Sequence, residues 1–496
     1  MNLALAFANS VQAQPDKVAL FWGADEFTYA ALLQQSCDVS RHLTGKLGVR
    51  PGDRVALWLK NCPEFVTAVY GILHAGAVLV PINNFLKPDE VSYMLLDGAI
   101  DLIISDKSMS HATDKLVAAR PALKVLFVED FATFPKGDVI APAPSAEDQL
   151  AVIIYTSGTC GKPKGAMLSH GNLLHNVESC RLVLETVQMD RFALLLPMFH
   201  SYMLTVGVFL PLIVGGSVVL VRSLHPVKNA LLEMFQRRAT ILPAIPQFYR
   251  SMVTAPIEPP LPMRVCVSGA APLPVQVLKD FEAKFQIPLI EGYGLSEASP
   301  VVTKNPIHGH RKPGSIGLPI ANVEVSIQDD AGNLLPHHVV GEICVRGGNV
   351  MMGYWNRPHD TAQAMRNGWL LTGDVGYRDT EGYYFITDRK KDMLLVNGIN
   401  VYPREIEEVI YQFGGVKEAA VIGVHDARKG EQPLAFVAPV EGHTLDEKEL
   451  HKFLKARLAA YKVPRRISFM DALPRNATGK ILKTTLRQMV ESSGTA

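Results

Sequence analysis

Apolar and polar positions alternate along the first part of the chain in the pattern of buried strands and amphipathic helices. Short apolar runs at Arg54–Leu59, Val78–Pro81 and Leu102–Ser105 predict strands. The stretches between them, Pro63–Gly76 and Pro88–Asp97, have helical spacing. Strands that alternate with helices predict a parallel, doubly wound sheet, so the chain is expected to begin with an α/β domain.

The rest of the chain divides into two further regions. Shorter alternating strands at Val323–Gln328 and Gly341–Arg346 predict a β-rich subdomain. A charge-dense run, Asp388–Asp392, then precedes a helix and strand pattern of about one hundred residues, an ordinary domain size. We therefore expect an α/β protein with a large N-terminal domain of doubly wound sheets plus the β-rich subdomain at 1–388, a hinge at 389–392 and a small α+β C-terminal domain at 393–496.

One apolar stretch is long enough to be mistaken for a membrane span. No charged residue lies between Arg191 and Arg222, a length that alone would permit a membrane-spanning helix. The stretch contains prolines, glycines and a histidine, and its two ends have strand-like sequences. Since buried parallel strands are also continuous apolar runs, we predict two strands flanking a helix inside the α/β domain.

Composition and charge are those of a soluble globular enzyme. The 496 residues are 48% apolar and 20% charged, and 49 Lys and Arg residues balance 48 Asp and Glu residues. A net charge of +1 without any basic run interleaved with aromatics gives little support to nucleic-acid binding. The six cysteines are scattered and form no zinc-ligand spacing, which predicts reduced thiols in a cytoplasmic protein.

The most informative stretch is a glycine-rich loop after a predicted buried strand, Leu150–Tyr155. A Walker-type loop is excluded, because two residues rather than four separate Gly158 from Gly161, and Lys162 is followed by proline. Hydroxyl, ammonium and backbone N–H groups of the loop can still converge on a polyanion, most simply phosphate. The residues of the loop are Thr156, Ser157, Gly158, Thr159, Cys160, Gly161, Lys162, Pro163, Lys164 and Gly165.

The string Y-T-S-G-T-x-G-x-P-K-G, from Tyr155 to Gly165, resembles the phosphate-binding signature of adenylate-forming enzymes. This superfamily comprises acyl-CoA synthetases, peptide-synthetase adenylation domains and beetle luciferases. The resemblance extends from Pro63 to Lys480 and implies that the loop binds the phosphates of ATP. Cys160 stands where the family usually has Thr or Ser, so one hydroxyl contact to phosphate is missing or is replaced by a weaker S–H donor.

A second block, from Glu291 to Glu297, resembles the adenine- and magnesium-binding signature of that family. Tyr293, between Gly292 and Gly294, offers an aromatic face to a purine, and Glu291 offers an acceptor to the adenine amino group. By the same resemblance Ser296 supplies a hydroxyl to the α-phosphate, and Glu297 supplies a hard oxygen ligand for Mg²⁺.

Two further segments complete the nucleotide site that the resemblance implies. Trp369–Asp374 resembles the ribose-binding segment, in which the carboxylate of Asp374 accepts both ribose hydroxyls and Arg389 reaches the ribose or a phosphate. The loop of Gly269, Ala270 and Ala271 is assigned to the same site, and its small side chains leave room for a fatty or an aromatic acyl group.

The resemblance also assigns the chemistry. Lys480 matches the lysine that bridges the substrate carboxylate and the α-phosphate, and losing such a charge-stabilising group costs ~100- to 1,000-fold in rate. His200 matches a residue that lines the acyl pocket and gates ATP entry without having to act as an acid or base. Because the lysine serves only the first half-reaction, the C-terminal domain is expected to rotate about the hinge at Lys391 and to present Gly398 to the pantetheine thiol of CoA.

The expected activity is therefore an ATP-dependent acyl-CoA ligase that uses ATP, Mg²⁺ and coenzyme A. A medium- or long-chain fatty acid is the favoured substrate, an aryl acid is the alternative, and an acyl carrier protein is the alternative acceptor. The segment Phe199–Arg222 has no Asp, which argues against an amino-acid substrate.

Two other classes of function are alternatives to the ligase. A catalytically silent scaffold is disfavoured because Lys480, Glu297 and Asp374 are all present, whereas a luciferase-like monooxygenase depends on a substrate that the sequence does not reveal. The expected partners are small molecules and no nucleic acid, with at most peripheral membrane association and a homodimer as a compatible assembly.

Overall fold

The computed structural model describes residues 1–156, 162–223, 227–426, 430–475 and 480–492. Within these residues the α-helices are α1 (Leu3–Ala13), α2 (Tyr29–Gly45), α3 (Pro63–His74), α4 (Pro88–Asp97), α5 (Ser110–Ala119), α6 (His170–Leu184), α7 (Leu210–Val214), α8 (Val227–Gln236), α9 (Pro246–Thr254), α10 (Val275–Phe285), α11 (Pro358–Ala364), α12 (Pro403–Tyr411), α13 (Glu447–Lys455) and α14 (Lys483–Ser492).

The strands in the same part of the chain are β1 (Val18–Trp22), β2 (Asp25–Thr28), β3 (Arg54–Leu57), β4 (Val78–Pro81), β5 (Leu102–Ser105), β6 (Lys124–Phe127), β7 (Leu150–Thr156), β8 (Lys164–Ser169), β9 (Arg191–Leu194), β10 (Ser217–Leu220), β11 (Ile241–Ala244), β12 (Val265–Ser268), β13 (Leu289–Gly294), β14 (Val301–Lys304), β15 (Leu318–Pro319), β16 (Val323–Gln328), β17 (Gly341–Gly347), β18 (Gly353–Tyr354), β19 (Met365–Arg366), β20 (Trp369–Arg378), β21 (Tyr384–Arg389), β22 (Leu394–Val396), β23 (Ile399–Val401), β24 (Val416–Asp426), β25 (Gly430–Pro439) and β26 (Arg466–Phe469).

Two large sheets form the first part of the molecule. The nine-stranded sheet has the order β15-β14-β13-β12-β11-β9-β10-β1-β2, and the seven-stranded sheet has the order β18-β8-β7-β4-β3-β5-β6. Their central strands are parallel, and antiparallel strands lie towards the edges. The predicted α/β fold with doubly wound sheets is therefore confirmed.

Both faces of the seven-stranded sheet are buried. In β3 the side chains of Val55 and Leu57 belong to the core shared with the nine-stranded sheet, whereas Ala56 belongs to a second core on the opposite face. Successive side chains of a strand point to opposite faces, so burial on both sides requires an unbroken apolar run. This is why the strands of the first domain read as continuous apolar segments.

The uncharged stretch between Arg191 and Arg222 folds as predicted, as strand, helix and strand. β9 and β10 are neighbouring parallel strands, and the chain between them contains a π-helical segment, Met203–Phe209, that continues into α7. Such wide helical turns occur frequently at functional sites. No helix in the described residues is long and apolar enough to cross a membrane.

The β-rich region and the C-terminal region have separate sheets. β16, β17, β20, β19 and β21 form one five-stranded sheet, which is the predicted β-rich subdomain. β23, β22, β25, β24 and β26 form another, and its two faces carry their own hydrophobic cores: Ala419 and Val421 belong to one, and Ala420 and Ile422 to the other. The exact boundaries at 388 and 393 stay a prediction.

Candidate active site

The residues assigned to nucleotide binding lie on strands of three sheets or in the loops that follow them. Thr156 is the last residue of β7 in the seven-stranded sheet, and Ser268 is the last residue of β12 in the nine-stranded sheet. β20 and β21 carry Asp374 and Arg389. Ligands of open α/β sheets bind in the crevice outside the carboxyl ends of the strands, so this is the expected place for a nucleotide.

The two ends of the phosphate loop are described, but its centre is not. Ser157, Gly158, Thr159, Cys160 and Gly161 lie outside the described residues. Thr156 and Lys164 are register partners across the antiparallel β7–β8 hairpin. Lys164 is paired with Asp360, and Lys162 Nζ lies 5.4 Å from the centroid of the Tyr93 ring. The flanking strands thus bring the hydroxyl of Thr156 and both lysines to one end of the hairpin.

Glu297 is held beside this loop by two hydroxyl groups. Its Oε1 accepts a hydrogen bond from Tyr354 Oη at 2.9 Å and one from Thr156 Oγ1 at 3.4 Å. Glu297 and Ser296 share a 3₁₀ turn, Ser296–Ala298, just after β13. The structure therefore places the predicted metal-binding carboxylate next to the predicted phosphate loop.

The predicted ribose-binding residues converge on one carboxylate. Tyr293 Oη donates to Asp374 Oδ2 at 2.6 Å, and Arg389 Nε lies 3.1 Å from Asp374 Oδ1. Asp374 and Arg389 are direct register partners in the antiparallel β20–β21 pair, which places their side chains together. Asp374 is only 4% exposed, so its charge is balanced at close range by Arg389.

Glu291 is buried in the middle of β13 with one carboxylate oxygen in use. Its Oε1 accepts from the backbone N–H of Leu273 at 3.0 Å, whereas its Oε2 has no hydrogen-bond partner in the described part of the chain. Burial raises the pKa of this carboxyl to about 7, and Arg404, at 3.9 Å, opposes that rise. A buried acceptor without a partner is suited to a ligand N–H group.

Close packing explains why glycine stands at several positions of the segments 269–271 and 291–297. A Cβ on Gly294 would lie 2.1 Å from the carbonyl oxygen of Pro300, and one on Gly292 would lie 3.2 Å from that of Thr303. A Cβ on Gly269 would lie 3.0 Å from the ring of Tyr202. Within the same loop, Ala270 has a φ of 64°. Ala271, the third small residue, is half-buried.

His200 lies near Lys480 and is not an acid at neutral pH. Burial, together with the nearby Lys480, lowers the pKa of its imidazole to about 4. Its Nδ1 accepts a hydrogen bond from the backbone N–H of Tyr202 at 3.2 Å. The next residue, Ser201, is 2.9 Å from Ser296 through their hydroxyl oxygens. A neutral, hydrogen-bonded imidazole fits a pocket or gate residue.

Lys480 enters the same cluster from the C-terminal region. Burial lowers the pKa of its ammonium to about 8; Arg389 lowers it further, and Asp374 raises it. These groups act on Lys480 only because they are close to it, and Lys480 acts in the same way on His200, so the lysine is near both the nucleotide residues and His200. Lys391 is exposed but near enough to lower the pKa of Lys480 as well.

Gly398 is not part of this cluster. It occupies the exposed turn between β22 and β23, and nothing lies within 4 Å of the position that its Cβ would take. Sequence reasoning also missed two residues of the site, Tyr354 and Arg404. Tyr354 reaches Glu297 because β18 pairs with β8, a contact between distant parts of the chain that has no local sequence signal.

No group of three or more His, Cys, Asp or Glu side chains in the described residues is arranged to hold a metal ion. The carboxylate of Glu297 is a hard oxygen donor of the kind that binds Mg²⁺ together with a nucleotide's phosphates and water.

Comparison with known proteins identifies the family. Residues 7–355 match the AMP-binding enzyme family, and residues 405–480 match the AMP-binding enzyme C-terminal domain. A long-chain-fatty-acid–CoA ligase of Bacillus subtilis (strain 168) is 36% identical, covering 95% of this chain and 91% of the relative. A feruloyl-CoA synthase of Amycolatopsis sp is 35% identical, covering 96% of each chain.

A solved structure shows the same fold with a reaction intermediate bound. The anthranilate CoA ligase AuaEII, in complex with anthranoyl-AMP, superimposes with a TM-score of 0.94 at 28% identity, covering 100% of this chain and 98% of that chain. The resemblance to adenylate-forming enzymes is thereby confirmed, and the chain belongs to the family of AMP-binding enzymes.

Proposed function

We propose that this protein is an ATP-dependent acyl-CoA ligase. A carboxylic acid attacks the α-phosphorus of ATP to give an acyl-adenylate and pyrophosphate, and the thiol of coenzyme A then displaces AMP to give the thioester. The observation that supports this most directly is the position of Lys480. Its ammonium is close enough to Asp374 and Arg389, and also to the neutral imidazole of His200, for these groups to act on one another electrostatically.

The nucleotide would be held by groups that already face one another. Asp374 supplies a fixed carboxylate for the ribose hydroxyls, since Arg389 and Tyr293 restrain both of its oxygens. Oε2 of Glu291 supplies the acceptor for the adenine amino group. We assign the β- and γ-phosphates to Thr156, Lys162, Lys164 and the loop residues 157–161.

Glu297 is the residue that we propose as the protein ligand of Mg²⁺. Two hydroxyl groups fix Oε1 of this carboxylate, and the neighbouring phosphate loop would bring ATP oxygens beside it. Bound Mg²⁺ would neutralise part of the phosphate charge. The chain's own contribution is to hold the carboxylate in one orientation.

Lys480 addresses the main barrier of the first step. A carboxylate that attacks a phosphorus surrounded by anionic oxygens is repelled by them, and a positioned ammonium stabilises the charge that develops. His200 lines the acyl side without donating a proton, because its imidazole is neutral above a pKa of about 4.

The acid is proposed to be a medium- or long-chain fatty acid, with an aryl acid as the second candidate. The fatty-acid proposal rests on the relative from Bacillus subtilis, and the aryl alternative rests on the feruloyl-CoA synthase and the anthranilate CoA ligase, which cover the chain equally well. A panel of both classes of acid, assayed for pyrophosphate release with and without CoA, separates them. The proposal fails if no acid stimulates release.

The two half-reactions would require two positions of the C-terminal domain. We propose the division 1–388, 389–392 and 393–496, with Lys391 at the hinge and the turn at Gly398 as the surface that meets the thiol of CoA. Two observations support this arrangement. Lys391 and Gly398 are both exposed, and Lys480 is near Asp374 and Arg389, whereas no atom lies within 4 Å of the position that a Cβ of Gly398 would take.

Substitution of the lysine tests the assignment of roles. Lys480→Ala is expected to lower acid-dependent pyrophosphate release ~100- to 1,000-fold, because it removes one charge-stabilising group. Thioester formation from supplied acyl-adenylate and CoA should be largely retained, since Lys480 acts only in the first step. The two steps are measured separately, by released pyrophosphate and by thioester. Equal loss of both would refute the role given to Lys480.

A further inference from the structure

An arginine of the first domain holds the beginning of a strand in the C-terminal region. Arg250, on α9, donates through its guanidinium to the backbone carbonyl of Val416 at 2.6 Å and to that of Lys417. These are the first residues of β24. A planar guanidinium can satisfy two neighbouring carbonyls at once, and it keeps its charge at every accessible pH.

The strand that Arg250 holds is tied to the segment that carries Lys480. Glu418, the next residue of β24, is buried and forms an ion pair with Arg475 at 3.0 Å. Its other carboxylate oxygen accepts from the backbone N–H of Leu473 at 3.1 Å. The contacts of Arg250 at Val416 and Lys417 fix the place of Glu418. Glu418 in turn fixes the place of Arg475 through their ion pair.

The last link reaches the lysine itself. Arg475 and Ile481 form an antiparallel bridge, and the N–H of Leu482 donates to the carbonyl of Pro474 at 2.8 Å. Ile481 directly follows Lys480. A continuous series of hydrogen bonds and one ion pair thus connects the guanidinium of Arg250 with the backbone beside the ammonium of Lys480.

We propose that Arg250 is a positioning residue for the adenylation step, which fixes the place of Lys480 through β24, Glu418 and Arg475. The inference rests on the proposed function, in which Lys480 acts only in that step. A second contact between the same two parts, Arg404 with Glu291 at 3.9 Å, lies beside the nucleotide residues and supports the same orientation of the C-terminal region. Arg250 touches none of the reacting groups assigned above, so its effect must be transmitted through this connection.

Arg250→Gln in the full-length protein tests the proposal. The variant removes the charge and the two-carbonyl contact, so acid-dependent pyrophosphate release is expected to fall by up to about 100-fold, the cost of a catalytic group misplaced by about 1 Å. Thioester formation from supplied acyl-adenylate and CoA is expected to be unchanged. Arg250→Lys, which retains the charge and donors for a carbonyl, is expected to recover part of the lost rate.

Two further variants keep the experiment interpretable. Arg181→Gln removes an exposed arginine whose guanidinium pairs with Glu178 on α6, and both half-reactions should remain as in the unmodified protein. Glu418→Gln keeps an amide oxygen for Leu473 but removes the ion pair with Arg475, and it should show the same selective loss of pyrophosphate release as Arg250→Gln. It also tests the connection should Arg250→Gln fail to fold.

The outcomes separate the inference from the proposed function. If the unmodified protein releases no pyrophosphate with any acid, the proposed function is wrong. If it is active, and a variant (Arg250→Gln or Glu418→Gln) that unfolds at the temperature of the unmodified protein loses both half-reactions equally, or neither, the positioning role of Arg250 is wrong. A thermal unfolding curve for each variant shows whether an equal loss comes from destabilisation.

Discussion

At the scale of single residues, the surroundings of Lys480 determine its ionisation. Burial is the main reason that the pKa of its ammonium falls to about 8, and Arg389 lowers it further, while Asp374 limits the decrease. The side chain of Lys480 is therefore mostly protonated at neutral pH, and it loses its positive charge as the pH rises through about 8. This differs from an exposed lysine, which stays charged to about pH 10.

The lowered pKa predicts the alkaline side of the pH profile. Acid-dependent pyrophosphate release, measured as kcat/KM with sub-saturating Mg-ATP and acid from about pH 6 to pH 10, should decline with a midpoint near the pKa of Lys480 in the free protein, about 8. The decline should be absent from thioester formation with supplied acyl-adenylate, which does not use this ammonium. Release that stays constant to about pH 10 would show that the charge of Lys480 is not needed.

The orientation of Asp374 is another property of single residues. Tyr293 and Arg389 hold opposite oxygens of its carboxylate, so the side chain has little freedom before a nucleotide arrives. A group that is oriented in advance loses less entropy on binding. The same arrangement explains why Asp374 tolerates burial, since a buried carboxylate requires a paired charge and hydrogen bonds.

At the scale of elements, the β22–β23 hairpin has the strongest local sequence signal in the C-terminal region. Asn397 and Gly398 form its two-residue turn, and both have positive φ, 52° and 78°. An Asn-Gly turn of this kind matches the twist of the flanking strands. The turn is exposed and presents its backbone to solvent, as the proposed contact with CoA requires.

Gly398→Ala tests whether this turn serves CoA. The substitution meets no neighbouring atom but forces alanine into a left-handed conformation, which costs roughly 1–2 kcal/mol of stability. Thioester formation is expected to fall because a methyl group now stands where the backbone should approach the thiol, whereas pyrophosphate release is retained. Both rates and the free energy of unfolding are measured.

Gly442→Ala is the matched control for that substitution. Gly442 is also in the C-terminal region, has a φ of 79° and has no atom within 4 Å of the position that its Cβ would take. It should therefore show the same loss of stability with normal thioester formation. If the two variants form thioester equally well, the turn at Gly398 does not contact CoA.

At the scale of the whole molecule, the hydrophobic cores are divided along the chain. Among the described residues, the members of the two cores around the large sheets end at Tyr384, and those of the two C-terminal cores begin at Leu394. The contacts of Arg250 and Arg404 across this division are polar. Polar contacts between separate cores can be exchanged more readily than a shared apolar core.

This division predicts the behaviour of a shortened protein. A chain that ends after Asp392 keeps Arg389 and both large cores, so it should unfold cooperatively and bind ATP in a calorimeter. It should release pyrophosphate at least ~100-fold more slowly, because it lacks Lys480. Failure to unfold cooperatively would show that the first part of the chain depends on the C-terminal cores for its stability.

The sequence by itself determined the elements and the family. Local spacing of apolar residues predicted strands such as β4 and β5 at their observed bounds, because burial on both faces needs an unbroken apolar run. The start of a helix can also be set locally: α13 begins at Glu447 because the Asp446 side chain accepts hydrogen bonds from the first backbone N–H groups of the helix. The motifs around Tyr155, Tyr293 and Lys480 indicated the family before any contact was known.

Only the tertiary structure decided how these motifs meet. The hydrogen bond from Tyr293 to Asp374 joins residues 81 positions apart, and the bond from Tyr354 to Glu297 depends on the pairing of β18 with β8. The pKa values of His200 and Lys480 likewise follow from burial against groups of distant segments. The local spacing of apolar residues determines which face of a helix or strand is buried. Which element packs against that face depends on the packing of the whole chain, and the connection from Arg250 to Lys480 depends on it in the same way.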